Sequence, residues 1–197
     1  MKCRKCNAKA VINMRQHKLA LCETHFLEWI PEKTERFIKL YSMIQPEEKT
    51  LVAVSGGKDS LALWDILIRL GYKADGLYIN LGINEGLDYS NRSYDHCVQF
   101  ASSRNLDLIT IDMKERYKVT IPELSKKNNR GKVKPCSVCG LAKRHIMNRY
   151  ATENNYNILA TGHNLDDEAA TLFGNTMNWI PGYLSRQSPV LEADLPG

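Results

Sequence analysis

The chain has 197 residues, of which 43% are hydrophobic and 25% are charged, and its formal net charge is +5. These values are ordinary for a globular protein with one medium domain and a small appendage. No apolar run approaches the ~20 residues that span a bilayer, and no signal-peptide core follows the amino terminus. We therefore expect a cytoplasmic protein with reduced thiols and no membrane partner.

Residues 1–28 are rich in cysteine and predict a zinc knuckle. The potential ligands follow the spacing C-x2-C-x15-C-x2-H and are Cys3, Cys6, Cys22 and His25. Two close pairs of this kind are typical of a closed tetrahedral Zn(II) site. Such a site would be structural, because it folds a segment too short to bury a core. A chance arrangement of reduced thiols is the alternative.

Residues 29–197 predict an α/β domain that adjoins a first helix. Pro31 suits position N1 of this helix, and Phe37, Ile38, Tyr41 and Ile44 would lie on its buried side. Strands and helices then alternate, which predicts a doubly wound, mostly parallel sheet with its ligand at the carboxyl ends of the strands. The strands are predicted at 50–54, 74–81, 107–113 and 156–161, and the helices at 61–70, 91–104, 139–154 and 165–177.

The region after residue 177 shows no periodicity. A domain of this type is expected to carry at least one more strand. We therefore expect the ATP-binding domain to be truncated at its carboxyl end.

The segment 51–60 passes from a β-branched apolar run into the sequence SGGKDS. We expect Gly56 and Gly57 to take positive φ and to let the backbone approach a ligand. Ser60 suits the N-cap of the following helix, whose free N–H groups would form an anion site beside Lys58. The geometry suits pyrophosphate, and an ordinary turn with two glycines is the alternative. The spacing excludes both a Walker loop and a dinucleotide fingerprint.

A basic run lies between Leu124 and Thr152, where eight residues are basic and none is acidic. A partner with a phosphate backbone would explain this concentration, although a solvated loop is the alternative. The residues that we assign to such a contact are Lys126, Lys127, Arg130, Lys132 and Lys134.

Cys136 and Cys139 form a CxxC pair inside this run. Two cysteines cannot complete a zinc site, so a redox pair at a helix N-terminus and two ligands of an iron–sulfur cluster remain open. Lys143 follows Cys139 by one helical turn and points the same way, where it would stabilise an oxyanion or contact phosphate. Cys97, in the middle of a predicted helix, is expected to be buried and inert.

Two resemblances add to this reading. SGGKDS resembles the PP-loop of the ATP pyrophosphatases, which release pyrophosphate while they adenylate a substrate oxygen. The order of the knuckle, SGGKDS, PCSVCG with Lys143 and Arg144, and ATGHNLDDE at 160–168 resembles the tRNA 2-thiouridine synthetases. This implies an adenine-nucleotide α-hydrolase-like fold and a reaction in two steps. ATP adenylates O2 of a tRNA uridine, and a sulfur nucleophile then displaces AMP at C2 to leave 2-thiouridine.

The resemblance also implies roles for single residues. By resemblance Asp167, with Asp166 as the fallback, would be catalytic, and Lys143 joins it as a catalytic candidate by its helical spacing from Cys139. Asp59 carries a negative charge in an anion site, so we assign it to Mg²⁺ binding or to the structure of the loop. Strand-end position adds Tyr78 and Ile79 as the adenine wall. The ATP-binding positions are thus Ala53, Ser55, Gly56, Gly57, Lys58, Asp59, Ser60, Ile79 and Gly162.

Members of this family bind a 4Fe–4S cluster through the CxxC pair and a third, downstream cysteine. This chain has no cysteine after Cys139. The partners implied are tRNA, ATP and a sulfur donor, either sulfide or a small thiocarboxylated carrier protein, and a homodimer is left open. The alternatives are a 2-thiocytidine or lysidine synthetase, and a non-catalytic zinc-containing RNA-binding module.

Overall fold

The computed structural model describes residues 1–83, 88–127, 134–184 and 187–192. The chain divides into two compact units, Met1–Gln45 and Pro46–Gly197. The predicted division into residues 1–28 and 29–197 remains a prediction, and a helix at Glu23–Leu40 crosses it. Within the described ranges, no helix has both the length and the apolar character that a membrane span requires.

The amino-terminal unit consists of a small hairpin and one long helix. Its buried core includes Leu21 and two of the predicted ligands, Cys3 and Cys22, so the knuckle and the core are the same structure. In chain order the elements are β1 (Ile12–Met14), a 3-10 turn (Arg15–His17), β2 (Leu19–Leu21), which pairs with β1 in antiparallel fashion, and α1 (Glu23–Leu40).

Helix α1 begins at Glu23, so the prediction that Pro31 begins it is wrong. Cys22 is the N-cap, with an extended backbone, and Glu23 places a carboxylate in the first turn, where the helix dipole favours it. Pro31 lies inside the helix, where a proline supplies no N–H donor. The helix begins next to the second pair of predicted ligands, Cys22 and His25. This start lies eight residues before Pro31, the position that the preference of proline for N1 had predicted.

The predicted buried side of α1 is only partly correct. Ile38 and Ile44 are buried, but Phe37 and Tyr41 are 50% and 48% exposed. The two aromatic rings stack on each other, with their centroids 6.2 Å apart. Their hydrophobic contact is therefore local, between residues one helical turn apart.

The second unit contains a four-stranded sheet in which all strands are parallel, in the order β5-β4-β3-β6. The sheet is flanked by helices, so the predicted α/β class is confirmed. The strand order reverses between β3 and β6, which makes their carboxyl ends the switch point where such sheets bind ligands. The elements are β3 (Thr50–Val54), α2 (Lys58–Arg69), β4 (Ala74–Asn80), α3 (Tyr89–Ser103), β5 (Leu108–Asp112), α4 (Met113–Tyr117), α5 (Ile121–Lys127), α6 (Pro135–Glu153), β6 (Ile158–Thr161), α7 (Leu165–Met177) and α8 (Pro181–Leu184).

Helix α2 is fixed to the sheet by Trp64. The indole is fully buried, and its Nε1 donates a hydrogen bond to the carbonyl oxygen of Ala74 at 2.9 Å. A Cβ atom at Gly76 would lie 2.5 Å from the Trp64 ring, so only glycine admits the ring at this distance. This packing holds the start of α2, and with it the SGGKDS loop, at the carboxyl edge of the sheet.

Candidate functional site

The SGGKDS loop joins β3 to α2 by a single left-handed residue. Gly56 has φ of 73°, whereas Gly57 is the N-cap of α2 with φ of −79°. The prediction of positive φ is therefore correct for Gly56 and wrong for Gly57. Ser60 is not the N-cap either, because α2 begins at Lys58 and Ser60 lies in its first turn.

Ser60 instead ties the loop to the helix. Its Oγ donates to the carbonyl oxygen of Gly57 at 3.0 Å and accepts from the N–H of Ser55 at 3.2 Å. The hydroxyl oxygen of Ser55 lies 3.3 Å from the same atom. Since the first-turn N–H groups of a helix have no partner within the helix, they remain oriented toward an anion at this position.

Two glycines allow close backbone contacts at the SGGKDS loop. A Cβ atom at Gly56 would lie 2.4 Å from the carbonyl oxygen of Ser93 in α3. A Cβ atom at Gly162, after β6, would lie 2.7 Å from Cα of Ser60. Both positions therefore require glycine for close approach of backbone to backbone.

Lys58 and Asp59 form an ion pair, with Nζ 2.8 Å from Oδ1. The hydrogen bond from Lys58 lowers the pKa of Asp59, and a hydrogen bond from the side chain of Asn164 adds to this shift. The hydrogen bond with Asp59 raises the pKa of Lys58, to which the charge of Asp167 contributes. The beginnings of α2 and α7 are thus linked through side chains.

The start of α7 is a capping box. Asn164 Oδ1 accepts the N–H groups of Asp166 and Asp167 at 2.9 and 3.1 Å, and Asp167 Oδ2 accepts the N–H of Asn164 at 3.0 Å. The predicted catalytic residue Asp167 therefore has a capping role in this structure. Its side chain is exposed, as is that of Asp166.

A cavity of about 350 Å³ lies at the carboxyl ends of β3, β4 and β6, and we call it the sheet-edge cavity. Its volume is within the range of small-molecule sites. Lys143 from α6 lines it, as do most of the predicted ATP-binding residues, whereas Gly56, Lys58 and Asp167 do not. The predicted residues that it brings together are Ala53, Ser55, Gly57, Asp59, Ser60, Tyr78, Ile79, Gly162 and Lys143.

Other lining residues were not found from the sequence. Arg144 and Met147 extend the α6 wall, and helical spacing from Lys143 is the signal that would have found Met147. Tyr89, Ser90 and Ser93 of α3 carry no motif. Ser90 is fixed by Tyr78, whose buried hydroxyl donates to the Ser90 carbonyl oxygen at 2.6 Å, and burial raises the pKa of this tyrosine.

Cys136 and Cys139 both lie in the first turns of α6, which begins at Pro135 and not at residue 139. Cys136 is exposed and Cys139 is half-buried, and neither lines the sheet-edge cavity. Cys97 is fully buried, and burial raises its pKa to about 11. The expectation of an inert Cys97 agrees with this environment.

Three of the predicted tRNA-binding lysines are exposed. Lys126 and Lys127 end α5, and Lys134 is the N-cap of α6. Arg130 and Lys132 lie outside the described residues. The described lysines therefore flank the segment 128–133 on both sides.

In the first unit, the knuckle residues Cys3, Cys6, Cys22 and His25 present one ligand atom each, and all four atoms lie within 4.8 Å of one another. His25 Nδ1 is 3.4 Å from Cys3 Sγ and 3.2 Å from Cys22 Sγ, and Cys6 Sγ is 3.8 Å from Cys22 Sγ. Burial raises the pKa of Cys3, but backbone hydrogen bonds from Cys22 and Lys5 outweigh it and lower the pKa to about 6. This donor set is able to bind a metal ion.

Comparison with known proteins assigns both units. The PP-loop domain family matches residues 29–178, and the family described as 2-thiouridine synthetase TtuA, N-terminal LIM domain, matches residues 2–27. A tRNA-5-methyluridine(54) 2-sulfurtransferase of Thermus thermophilus is 52% identical over 197 residues, which are 100% of this chain and 59% of that protein. A protein of the same name from Thermotoga maritima is 40% identical over 97% of this chain and 61% of its own length.

A solved structure also resembles the chain over 98% of its length and 63% of that protein, with a TM-score of 0.82 and 25% identity. It is the U34-tRNA thiolase NcsA from Methanococcus maripaludis with its 4Fe-4S cluster. The chain spans about three fifths of the length of the curated relatives it matches. The matches nevertheless cover both motif-bearing units, so the chain belongs to the PP-loop family and, as its motifs indicated, resembles the tRNA 2-thiouridine synthetases within it.

Proposed function

We propose that this chain catalyses ATP-dependent thiolation of uridine in tRNA, with release of AMP and pyrophosphate. The observation that supports this most strongly is the sheet-edge cavity. It joins the SGGKDS loop, which is suited to a pyrophosphate, to Lys143, one helical turn beyond Cys139. An adenylation site and Lys143 would thereby face the same space, and the CxxC pair precedes Lys143 on the same helix.

The nucleotide would bind across the switch point of the sheet. Ile79 and Ala53 offer an apolar wall for the adenine, and Gly162 admits the nucleotide to the backbone. The loop N–H groups and Lys58 would stabilise the charge that develops on pyrophosphate, since charge stabilisation is the main requirement of such transfers. Asp59 would hold the Mg²⁺ that accompanies ATP.

Lys143 is proposed to stabilise the uridine oxyanion while O2 attacks the α-phosphorus. It is half-buried at the cavity wall, where a cation acts more strongly than in bulk water. Asp167 would position Mg²⁺ or substrate once its carboxylate leaves the capping box, with Asp166 as the fallback.

The knuckle is proposed to bind zinc. Zinc bonds of about 2.3 Å to sulfur and about 2.0 Å to nitrogen, in tetrahedral geometry, separate ligand atoms by about 3.5–3.8 Å. Three of the six ligand-atom separations are 3.2–3.8 Å, which is close to these values, and all six are within 4.8 Å. Since all four ligands come from protein, the metal would stabilise the fold.

Cys136 and Cys139 would hold a 4Fe–4S cluster as two of its ligands. Their exposure and their placement on successive turns of α6 fit this role, whereas Cys97 is too deeply buried to be a third ligand. When bound, the cluster would carry the sulfide that the sulfur donor provides for transfer to the substrate. Lys143, at the wall of the sheet-edge cavity, would act on the same part of the substrate.

The proposed substrate is the 5-methyluridine at position 54 of tRNA, because the two relatives of 52% and 40% identity carry that specificity in their names. Lys126, Lys127 and Lys134, with Arg130 and Lys132 between them in sequence, would contact its phosphates. Sulfide or a thiocarboxylated carrier protein would be the sulfur source, and the reduced thiols favour the cytoplasm.

The test is an anaerobic incubation of the reconstituted protein with Mg-ATP, sulfide and tRNA that contains 5-methyluridine. We expect a 2-thio-5-methyluridine nucleoside by mass spectrometry, with one AMP per thiolated base. A control tRNA in which cytidine replaces the nucleotide at position 54 should give no product. Thiolated cytidine or lysidine would favour the other PP-loop enzymes. Binding of tRNA that needs no nucleotide, with no product, would favour a non-catalytic module.

A further inference from the structure

A second cavity, of about 280 Å³, lies on the α3 side of the SGGKDS loop, and we call it the α3 cavity. It shares Ser55, Gly57, Tyr89 and Ser93 with the sheet-edge cavity, so the two spaces meet at the loop. Only the α3 cavity is lined by Arg92 and His96. No motif in the sequence pointed to these two residues.

Arg92 and His96 are four residues apart on α3 and therefore project from the same side of the helix. No acidic side chain is among the residues that line this cavity. Within the described ranges, neither side chain has a hydrogen-bond or ion-pair partner. A permanently charged guanidinium with a fork of N–H donors suits phosphate oxygens better than any neutral ligand.

The position of the loop makes these donors reachable from the nucleotide. Gly56 rests on the backbone of Ser93, one residue after Arg92, with no room for a side chain between loop and helix. Lys58 is paired with Asp59, which lines the sheet-edge cavity. A phosphate chain that follows the loop away from the adenine wall would thus move from the sheet-edge cavity toward Arg92.

We propose that the α3 cavity receives the distal phosphates of ATP and holds pyrophosphate as it leaves, with Arg92 and His96 as its binding residues. This rests on the proposed function. When uridine O2 forms its bond to the α-phosphorus, the bond from that phosphorus to the bridging oxygen breaks. Pyrophosphate departs with the electron pair, and its growing charge develops beside the Arg92 guanidinium.

The experiment measures binding of AMP, Mg-ATP and Mg-pyrophosphate to the full chain by calorimetry. We expect Arg92→Gln to weaken pyrophosphate and ATP roughly tenfold or more, as the loss of one charged hydrogen bond implies, and to leave AMP affinity unchanged. His96→Gln should act in the same direction. Arg92→Lys should recover part of the loss, because it restores the charge without the fork.

The matched control is Lys73→Gln, which removes one exposed positive charge at the amino end of β4, away from the loop. It should leave all three affinities unchanged. Arg92 and Lys73 are both exposed, and thermal melts would verify that each variant remains folded.

Several results would overturn the assignment. Unchanged pyrophosphate affinity in Arg92→Gln would overturn the assignment of the α3 cavity but would leave the proposed function intact. Equal weakening of AMP and pyrophosphate would indicate damage to the loop, and a fall in tRNA affinity alone would make Arg92 an RNA contact. If the unaltered chain binds no Mg-ATP, the proposed function and this inference fail together.

Discussion

The contact between Gly56 and α3 makes a demanding prediction about the substitution Gly56→Ala. Gly56 has φ of 73°, and the added Cβ would lie 2.4 Å from the carbonyl oxygen and 2.9 Å from Cα of Ser93. These atoms belong to the backbone of a helix, so no rotation of a side chain relieves the overlap. Either the loop or α3 must move.

The magnitude has two parts. A residue with a Cβ atom in the left-handed region costs about 1–2 kcal/mol relative to glycine. Forcing a methyl group into a closely packed contact costs about another 1–3 kcal/mol. We therefore expect Gly56→Ala to lower the free energy of unfolding of the second unit by about 2–5 kcal/mol. For a unit of this size, each kcal/mol corresponds to about 2–4 °C in Tm.

Gly71→Ala separates the two contributions, because Gly71 has φ of 84° but a Cβ atom there would meet nothing within 4 Å. It should cost only the backbone share, about 1–2 kcal/mol, and should leave ATP affinity unchanged. Denaturant unfolding and calorimetric ATP binding would be measured for both variants. If Gly56→Ala is as mild as Gly71→Ala and binds ATP normally, the loop does not depend on α3 and the reasoning is wrong.

Three further predictions concern other parts of the chain. Removal of zinc by a strong chelator should unfold the first unit, so that limited proteolysis cleaves within residues 1–45 while the second unit resists. Alkylation at pH 8 should label Cys136 but not Cys97, since burial raises the pKa of Cys97 from 9.0 to about 11. The stability that this protonated thiol contributes is complete below pH 9 and is lost as the pH rises toward 11, so labelling of Cys97 in the native protein at pH 8 would contradict its burial. The third prediction concerns a triple alanine variant at Lys126, Lys127 and Lys134. It should lower tRNA affinity and reduce the slope of log affinity against log salt concentration by about one unit per lost phosphate contact. An unchanged slope would mean that these side chains are only solvated.

Local patterns predicted much of the fold. The first strand of the sheet, Thr50–Val54, and the helix Leu165–Met177 have the predicted bounds, because a β-branched apolar run and an acidic first turn are signals carried by neighbouring residues. The order of strands and helices was sufficient to predict the parallel sheet, and the edge that it predicts for a ligand is the one at which the sheet-edge cavity lies. The knuckle ligands were found from their spacing and are brought together as expected.

The errors have different physical origins, and only the last of them is a contact between residues distant in sequence. Pro31 was assigned to a helix start by a local preference, but the helix begins at Glu23, with the predicted ligand Cys22 as its N-cap. Ser60 was assigned to a cap, yet its hydroxyl closes the loop onto Ser55 and Gly57. Nothing near Gly56 in sequence indicates that it touches Ser93, which also explains why the α3 residues of both cavities were missed.

The carboxylate of Asp59 lies in a proposed anion site, where its negative charge would repel a phosphate ligand. In this structure it accepts hydrogen bonds from Lys58 and Asn164, which keep it ionised, and Lys58 also experiences the charge of Asp167. The positive charge of Lys58 is thus already balanced by Asp59, and a polyphosphate would meet little net positive charge from this pair. A divalent cation would reverse that balance, since it would attract both the carboxylate and the phosphate oxygens and release Lys58 toward the ligand. On this argument the proposed site would recognise the magnesium complex of ATP rather than the free nucleotide, and the Asp59–Asn164 contact would transmit the change to the start of α7.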